Sequence, residues 1–129
     1  MPHLRIEYSA GLENRADMAE LCQAAYQAML KTGIFPTAGV RVRAFKANHA
    51  IVGDGLNEND FAALTLSVGS GRSVEQLKSA GDAIFAAVSG ALAHPLATTH
   101  FALSLEIRVI NPDLSWKDTP IHARLSGQN

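Results

Sequence analysis

The sequence predicts an α+β fold in which two β-α-β repeats form a four-stranded sheet with two helices on one face. Three observations predict it. Four short stretches alternate apolar and polar residues, two longer stretches repeat apolar residues every three or four positions, and a polar Gly- and Asn-containing stretch divides the chain into similar halves. The halves run from about residue 1 to 58 and from 59 to 129, and together they make one tautly sized domain of 129 residues.

The first strand covers His3 to Ser9, where Leu4, Ile6 and Tyr8 alternate with His3, Arg5 and Glu7. A helix follows from about Asn14 to Lys31. It lacks Gly and Pro, carries the stripe Met18, Leu21, Cys22, Ala25 and Met29, and meets a stop at Gly33. After Gly33, Pro36 and Gly39, the residues Val40, Val42 and Ala44 alternate with Arg41, Arg43 and Phe45 in a second strand parallel to the first. The polar divider spans about Asn48 to Asp60.

The second half repeats this order. Ala62, Leu64, Leu66 and Val68 mark a third strand, and Ser73 stands three residues before Gln76 at the spacing of a capping box. The helix that follows has the stripe Val74, Leu77, Gly81, Ile84, Phe85, Val88 and Leu92 and ends near His94 and Pro95. Phe101, Leu103, Leu105, Ile107 and Val109 form one face of a fourth strand. Two helices cover only one sheet face, so Phe101, Leu103 and Leu105, or their neighbours, are expected on the other; that apolar face predicts an oligomer packed sheet against sheet. The tail from Asn111 to Asn129, with its lone Trp116, is available to dock on a neighbour.

Composition excludes several classes of function. Lys+Arg number 11 against Asp+Glu 12, a net charge of -1, which argues against nucleic-acid binding through a broad basic face. Apolar runs stop well short of the ~20 residues a membrane span needs, and the first residues are not a signal peptide, so the expected location is cytoplasmic. The five histidines at 3, 49, 94, 100 and 122 have no metal-ligand spacing, and Cys22 lies on an apolar stripe where an inert thiol is the default.

Three features could carry chemistry. Gly69-Ser70-Gly71-Arg72-Ser73 leads from a strand end into a helix start, where free N–H groups and the Arg72 guanidinium favour a carboxylate; the same residues equally fit a plain turn with Arg72 in water. Arg41 and Arg43 share one strand face and repel unless an anion lies between them, or unless they flank an exposed edge or pair with Glu7 or Glu106. Pro2 becomes a free secondary amine if Met1 is removed. An α-amino group has a reference pKa of about 7.7 to 8.0 that burial beside guanidinium ions lowers, suiting it to act as a general base; otherwise Pro2 simply tolerates a strand's first position.

Together, Pro2-His3-Leu4, the Gly71-Arg72-Ser73 turn followed by Glu75, and Val40-Arg41-Val42 resemble the tautomerase superfamily, whose members use an amino-terminal proline as base. MPHLRIEYS, TGIFPTAGVRVR (Thr32 to Arg43), VGSGRSVE (Val68 to Glu75) and LSLEI (Leu103 to Ile107) are similar to its 5-carboxymethyl-2-hydroxymuconate isomerase family, in order over nearly the whole chain. The resemblance implies a homotrimer with sheets facing a central barrel-like core, no cofactor and no metal. It implies that Pro2 moves a proton from the enol of a 2-hydroxymuconate to a distant carbon, in degradation of 4-hydroxyphenylacetate through homoprotocatechuate. Arg41 and Arg72, with Arg43 as a third, carry over as binders of a small dicarboxylate or tricarboxylate substrate. Another 2-hydroxydienoate, a phenylpyruvate-type enol, or a non-catalytic small-ligand-binding module are the alternatives.

Overall fold

The computed structural model describes residues 1–126. In chain order these form β1 (His3–Ser9), a 3-10 turn (Ala10–Asn14), α1 (Met18–Lys31), a second 3-10 turn (Thr37–Gly39), β2 (Arg41–Ala47), β3 (Asp60–Val68), α2 (Val74–Ala91), the one-turn α3 (Ala93–Leu96), β4 (Phe101–Val109), a third 3-10 turn (Pro112–Leu114) and α4 (Pro120–Leu125). The sheet order is β2-β1-β3-β4. β1 runs parallel to β2, β3 runs parallel to β4, and the two halves meet antiparallel at β1 and β3.

α1 starts later than the apolar spacing suggests. Leu12 is buried by the short turn after β1, and Asp17 caps the helix by accepting hydrogen bonds from the Ala19 and Glu20 N–H groups at 2.9 and 3.2 Å. α2 opens on the expected capping box, with Ser73 and Gln76 bonded reciprocally. It breaks at Leu92, and Pro95 sits in the first turn of α3, where a missing N–H leaves no bond unmade.

Leu21, Ala25 and Met29 of α1 and Ala80, Ile84 and Val88 of α2 pack with Leu4, Ile6, Leu64, Leu66 and Val68 in one core on one sheet face. Phe85 and Val74, expected on the inner stripe of α2, stand largely in solvent, and Ala80 takes the inner position instead. Small residues there let α2 approach β4: a Cβ at Gly81 would lie 3.3 Å from Ile107 Cδ1.

The expected apolar outer face is corrected by the strand register. Ala62 pairs with Leu103, Leu64 with Leu105 and Leu66 with Ile107, so the apolar residues of β4 share the helix-covered face with the buried residues of β3. Phe101, Leu103, Leu105 and Ile107 accordingly pack against the core. The open face instead carries Arg5, Glu7, Phe45, Phe61, Ala63, Thr65, Ser67, Ala102, Ser104 and Glu106, a mixture of small, charged and aromatic side chains. Phe45 is exposed on this face, and Val109, Leu114 and Trp116 are exposed at or beyond the end of β4.

The register also defines one end of the sheet. His3 pairs with Arg41 on one side and Ser67 on the other, and Ser67 pairs with Arg108. The starts of β1 and β2 and the ends of β3 and β4 therefore lie together. From there the segment after β4 crosses the sheet end until α4 rests against the Thr37–Gly39 turn. No helix among the described residues is long and apolar enough to cross a membrane.

Candidate active site

The amino terminus enters the sheet at that shared end. The Pro2 side chain is fully buried, and its carbonyl accepts the Arg41 backbone N–H at 3.0 Å. Gly39 makes the position possible, because a Cβ there would meet Pro2 Cδ at 3.0 Å and Met1 Cα at 3.3 Å. Met1 lines a cavity of about 330 Å³ together with His3, Gly69, Ser70, Trp116 and Lys117, among others. While Met1 is present the Pro2 nitrogen is an amide and has no basicity. Removal of Met1 converts it to a secondary amine facing the volume that Met1 now lines.

The charges of two of the three expected arginines reach the amino terminus. Burial, followed by the charges of Lys117, Arg72 and Arg41, lowers the pKa of the Met1 amine from its ordinary 8.0. Arg72 is held by three contacts: Nε donates to Ile34 O at 3.0 Å, Nη1 donates to Gly69 O at 3.4 Å, and the guanidinium lies 4.9 Å from the Phe35 ring centroid. Gly71, at φ 113°, supplies the left-handed backbone that starts the turn into α2. Arg41 donates through Nη1 to Ala38 O at 2.7 Å and Val40 O at 3.1 Å. Each guanidinium thus keeps donors not used by these contacts, in a setting suited to carboxylate oxygens.

Arg43 is placed differently. Its Nη1 meets His3 Nδ1 at 3.1 Å on the open sheet face, and it is exposed. His3 is held below its ordinary pKa by burial and then by Arg43, Arg41 and the amino terminus. A neutral ring accepting at Nδ1 carries its proton on Nε2. Arg43 therefore orients a cavity-lining histidine, whereas Arg41 and Arg72 act on the amine.

The anion site expected at the start of α2 also takes another form. The capping box occupies the Ser73 and Gln76 N–H groups, and the positive charge comes from Arg72, turned back toward Ile34. Sequence reasoning missed Lys117, Phe35 and the carbonyls of Ile34 and Ala38. Lys117 and Trp116 sit in an aperiodic stretch, and only the crossing of the sheet end brings them to the cavity.

Other sites are spoken for. Cys22 is half-buried and burial pushes its thiol pKa up, which fits an inert thiol. No cluster of metal-ligating side chains occurs among the described residues. At the opposite sheet end a wider hollow of about 460 Å³ borders Asp60, whose carboxylate is already engaged by Arg15 Nη2 and Ser9 Oγ, both at 2.6 Å.

Comparison with known proteins identifies the family and the fold. A family model described as 5-carboxymethyl-2-hydroxymuconate isomerase matches residues 2–125. The 5-carboxymethyl-2-hydroxymuconate Delta-isomerase of Escherichia coli is 32% identical over 123 residues, covering 95% of this chain and 98% of that protein. A crystal structure of a 5-carboxymethyl-2-hydroxymuconate delta-isomerase superposes with a TM-score of 0.90 at 32% identity over 100% of this chain and 95% of its own. The 5-carboxymethyl-2-hydroxymuconate isomerase of Deinococcus radiodurans R1 gives 0.88 at 35% identity, covering 95% and 92%. At 15% identity, a symmetric trimer of fused 4-OT shares the fold, with a TM-score of 0.65 over 90% and 93%.

Proposed function

The chain belongs to the 5-carboxymethyl-2-hydroxymuconate isomerase family, and from that premise we propose that it isomerises 5-carboxymethyl-2-hydroxymuconate to the unsaturated ketone by proton transfer through Pro2. The observation that carries the mechanism is the setting of the amino terminus, buried at a sheet end where Arg41, Arg72 and Lys117 disfavour a protonated amine.

After Met1 is removed, the neutral Pro2 amine takes the proton of the 2-hydroxyl group. The electron pair of the O–H bond becomes the carbonyl π bond, the conjugated double bonds shift, and a distant ring-fission carbon accepts the proton back from Pro2. The base is regenerated and no atoms are gained or lost. Negative charge collects on the developing dienolate oxygen, where a fixed guanidinium is worth about 3 kcal/mol in a site sheltered from water. Arg72, tied to two carbonyls and a ring, is the best preorganised group for that task, and Arg41 holds a carboxylate. Arg43 contributes through His3.

The assembly is read as a homotrimer and the location as cytoplasmic. The exposed apolar side chains beyond β4 and the trimeric fused 4-OT of the same fold support the assembly. The reaction belongs by its chemistry to the catabolism of aromatic ring-fission products.

The test is a spectrophotometric assay of the Met1-processed protein with 5-carboxymethyl-2-hydroxymuconate, 2-hydroxymuconate and phenylpyruvate enol. The reading predicts highest kcat/KM for the first. A preference for either of the others transfers the chemistry to that enol, and no turnover of any leaves a binding module.

A further inference from the structure

Lys117 is a cation for which the fold has no internal use. The segment after β4 is pinned at Ile110, whose N–H donates to Val68 O at 2.7 Å, and its far end rests on the Thr37–Gly39 turn through α4. Between these two anchors it lays Trp116 and Lys117 on the wall of the cavity that Met1 lines. Lys117 makes no ion pair with Asp113, Asp118 or any other carboxylate among the described residues.

The other cations at this end are anchored. Arg72 is tied to Ile34 and Gly69, Arg41 to Ala38 and Val40, and Arg43 to His3. Lys117 alone among them comes from the crossing segment, on a long stem with three donors and no acceptor among the described residues. It lines the same cavity as Met1, and its charge is among those that lower the pKa of the Met1 amine. A substrate with three carboxylates and a developing oxyanion presents more negative charge than two arginines can meet with direct contacts.

We propose that Lys117 binds the third, carboxymethyl carboxylate of the substrate and so separates a tricarboxylate enol from a dicarboxylate one. This assignment rests on the isomerase reading of the same cavity. Arg43 is the weaker candidate for that contact because it is exposed on the sheet face and already directed at His3. The segment after β4 thereby has a role in substrate selection as well as in covering the sheet end.

The experiment compares wild-type protein, Lys117→Met and Lys117→Arg, each with Met1 removed and with its fold checked by circular dichroism. Steady-state kinetics are measured on the pH plateau, above the rising limb of every variant, with 5-carboxymethyl-2-hydroxymuconate and with 2-hydroxymuconate, which lacks the carboxymethyl group. Loss of one charge-assisted contact raises KM for the tricarboxylate by about tenfold in Lys117→Met, leaves the dicarboxylate KM within about twofold, and is largely restored in Lys117→Arg. An equal change on both substrates, or none, overturns the assignment. If the wild-type protein turns over neither enol, the isomerase reading fails by itself, and calorimetric binding of propane-1,2,3-tricarboxylate against glutarate decides on Lys117. A tricarboxylate preference abolished in Lys117→Met sustains the assignment, and a preference that is absent or unchanged overturns it.

Discussion

Arg72 and Arg41 are held in different ways, and the difference sets what their removal does. Arg72 bonds two carbonyls from separate elements and stacks on Phe35, a geometry that a lysine ammonium cannot reproduce. Arg72→Ala is expected to lower kcat/KM by about 100- to 1000-fold, with Arg72→Lys recovering little of it. Arg41 is anchored through one nitrogen to its own neighbourhood, and Arg41→Ala is expected to act mainly on KM, by about tenfold. Unchanged kinetics in either variant would mark that residue as a surface charge. The same cations set the pH profile. Burial and the charges of Lys117, Arg72 and Arg41 lower the pKa of the Met1 amine from the ordinary 8.0, and the Pro2 amine, one residue further into the chain, is expected to follow it. The base works unprotonated, so kcat/KM rises with pH through that lowered value and levels off above it. Arg41→Ala removes a charge that opposes protonation and moves the rising limb to higher pH; a limb that stays in place would show that Pro2 is not the titrating group.

At the scale of elements, periodicity made the strands and both long helices legible, because each buries one face and the spacing of Leu4, Ile6 and Tyr8 or Leu21, Ala25 and Met29 records which. The face assigned to Phe101, Leu103 and Leu105 was not legible. Alternation shows that a strand has two faces, whereas the pairing of Leu64 with Leu105 decides which of them meets the helices. The Gly71-Arg72-Ser73 turn was readable as a candidate anion binder from its place between a strand end and a helix start, and Arg41 with Arg43 from two like charges on one strand face. Lys117 was not, since nothing in an aperiodic segment records that it crosses the sheet end. The far end of the sheet is fixed by an ion pair of the same unreadable kind. Asp60, 8% exposed, is bonded to Arg15 and Ser9 across long sequence separations, and Gly11 leaves it room, since a Cβ there would fall 2.8 Å from Oδ1. Asp60→Ala leaves Arg15 without its partner and is expected to cost about 3 kcal/mol in urea unfolding, with kcat per folded molecule unchanged. A loss below about 0.5 kcal/mol would show that the pair is not a stabilising tie.

At the scale of the whole molecule, the open face is too mixed to give the simplest argument for association, and the exposed apolar residues are spread from Phe45 on that face and Ile51 in the loop after β2 to the crossing segment. Trp116 is 85% exposed and Leu114 69% exposed beside the proposed active site. A trimer would cover such residues and shelter the cavity from water. Sedimentation equilibrium is expected to give about three times the 13.7 kDa chain mass. An active species with the mass of a single chain would contradict the trimer while leaving Pro2 untouched. The central claim is that the amine of Pro2, freed of Met1, is the working base. Intact mass of the purified protein, followed by the isomerase assay before and after chemical blocking of the amino terminus, tests it directly. The account predicts a mass lacking Met1 and activity abolished by the block; undiminished turnover by a fully blocked protein, or by one that retains Met1, would contradict it.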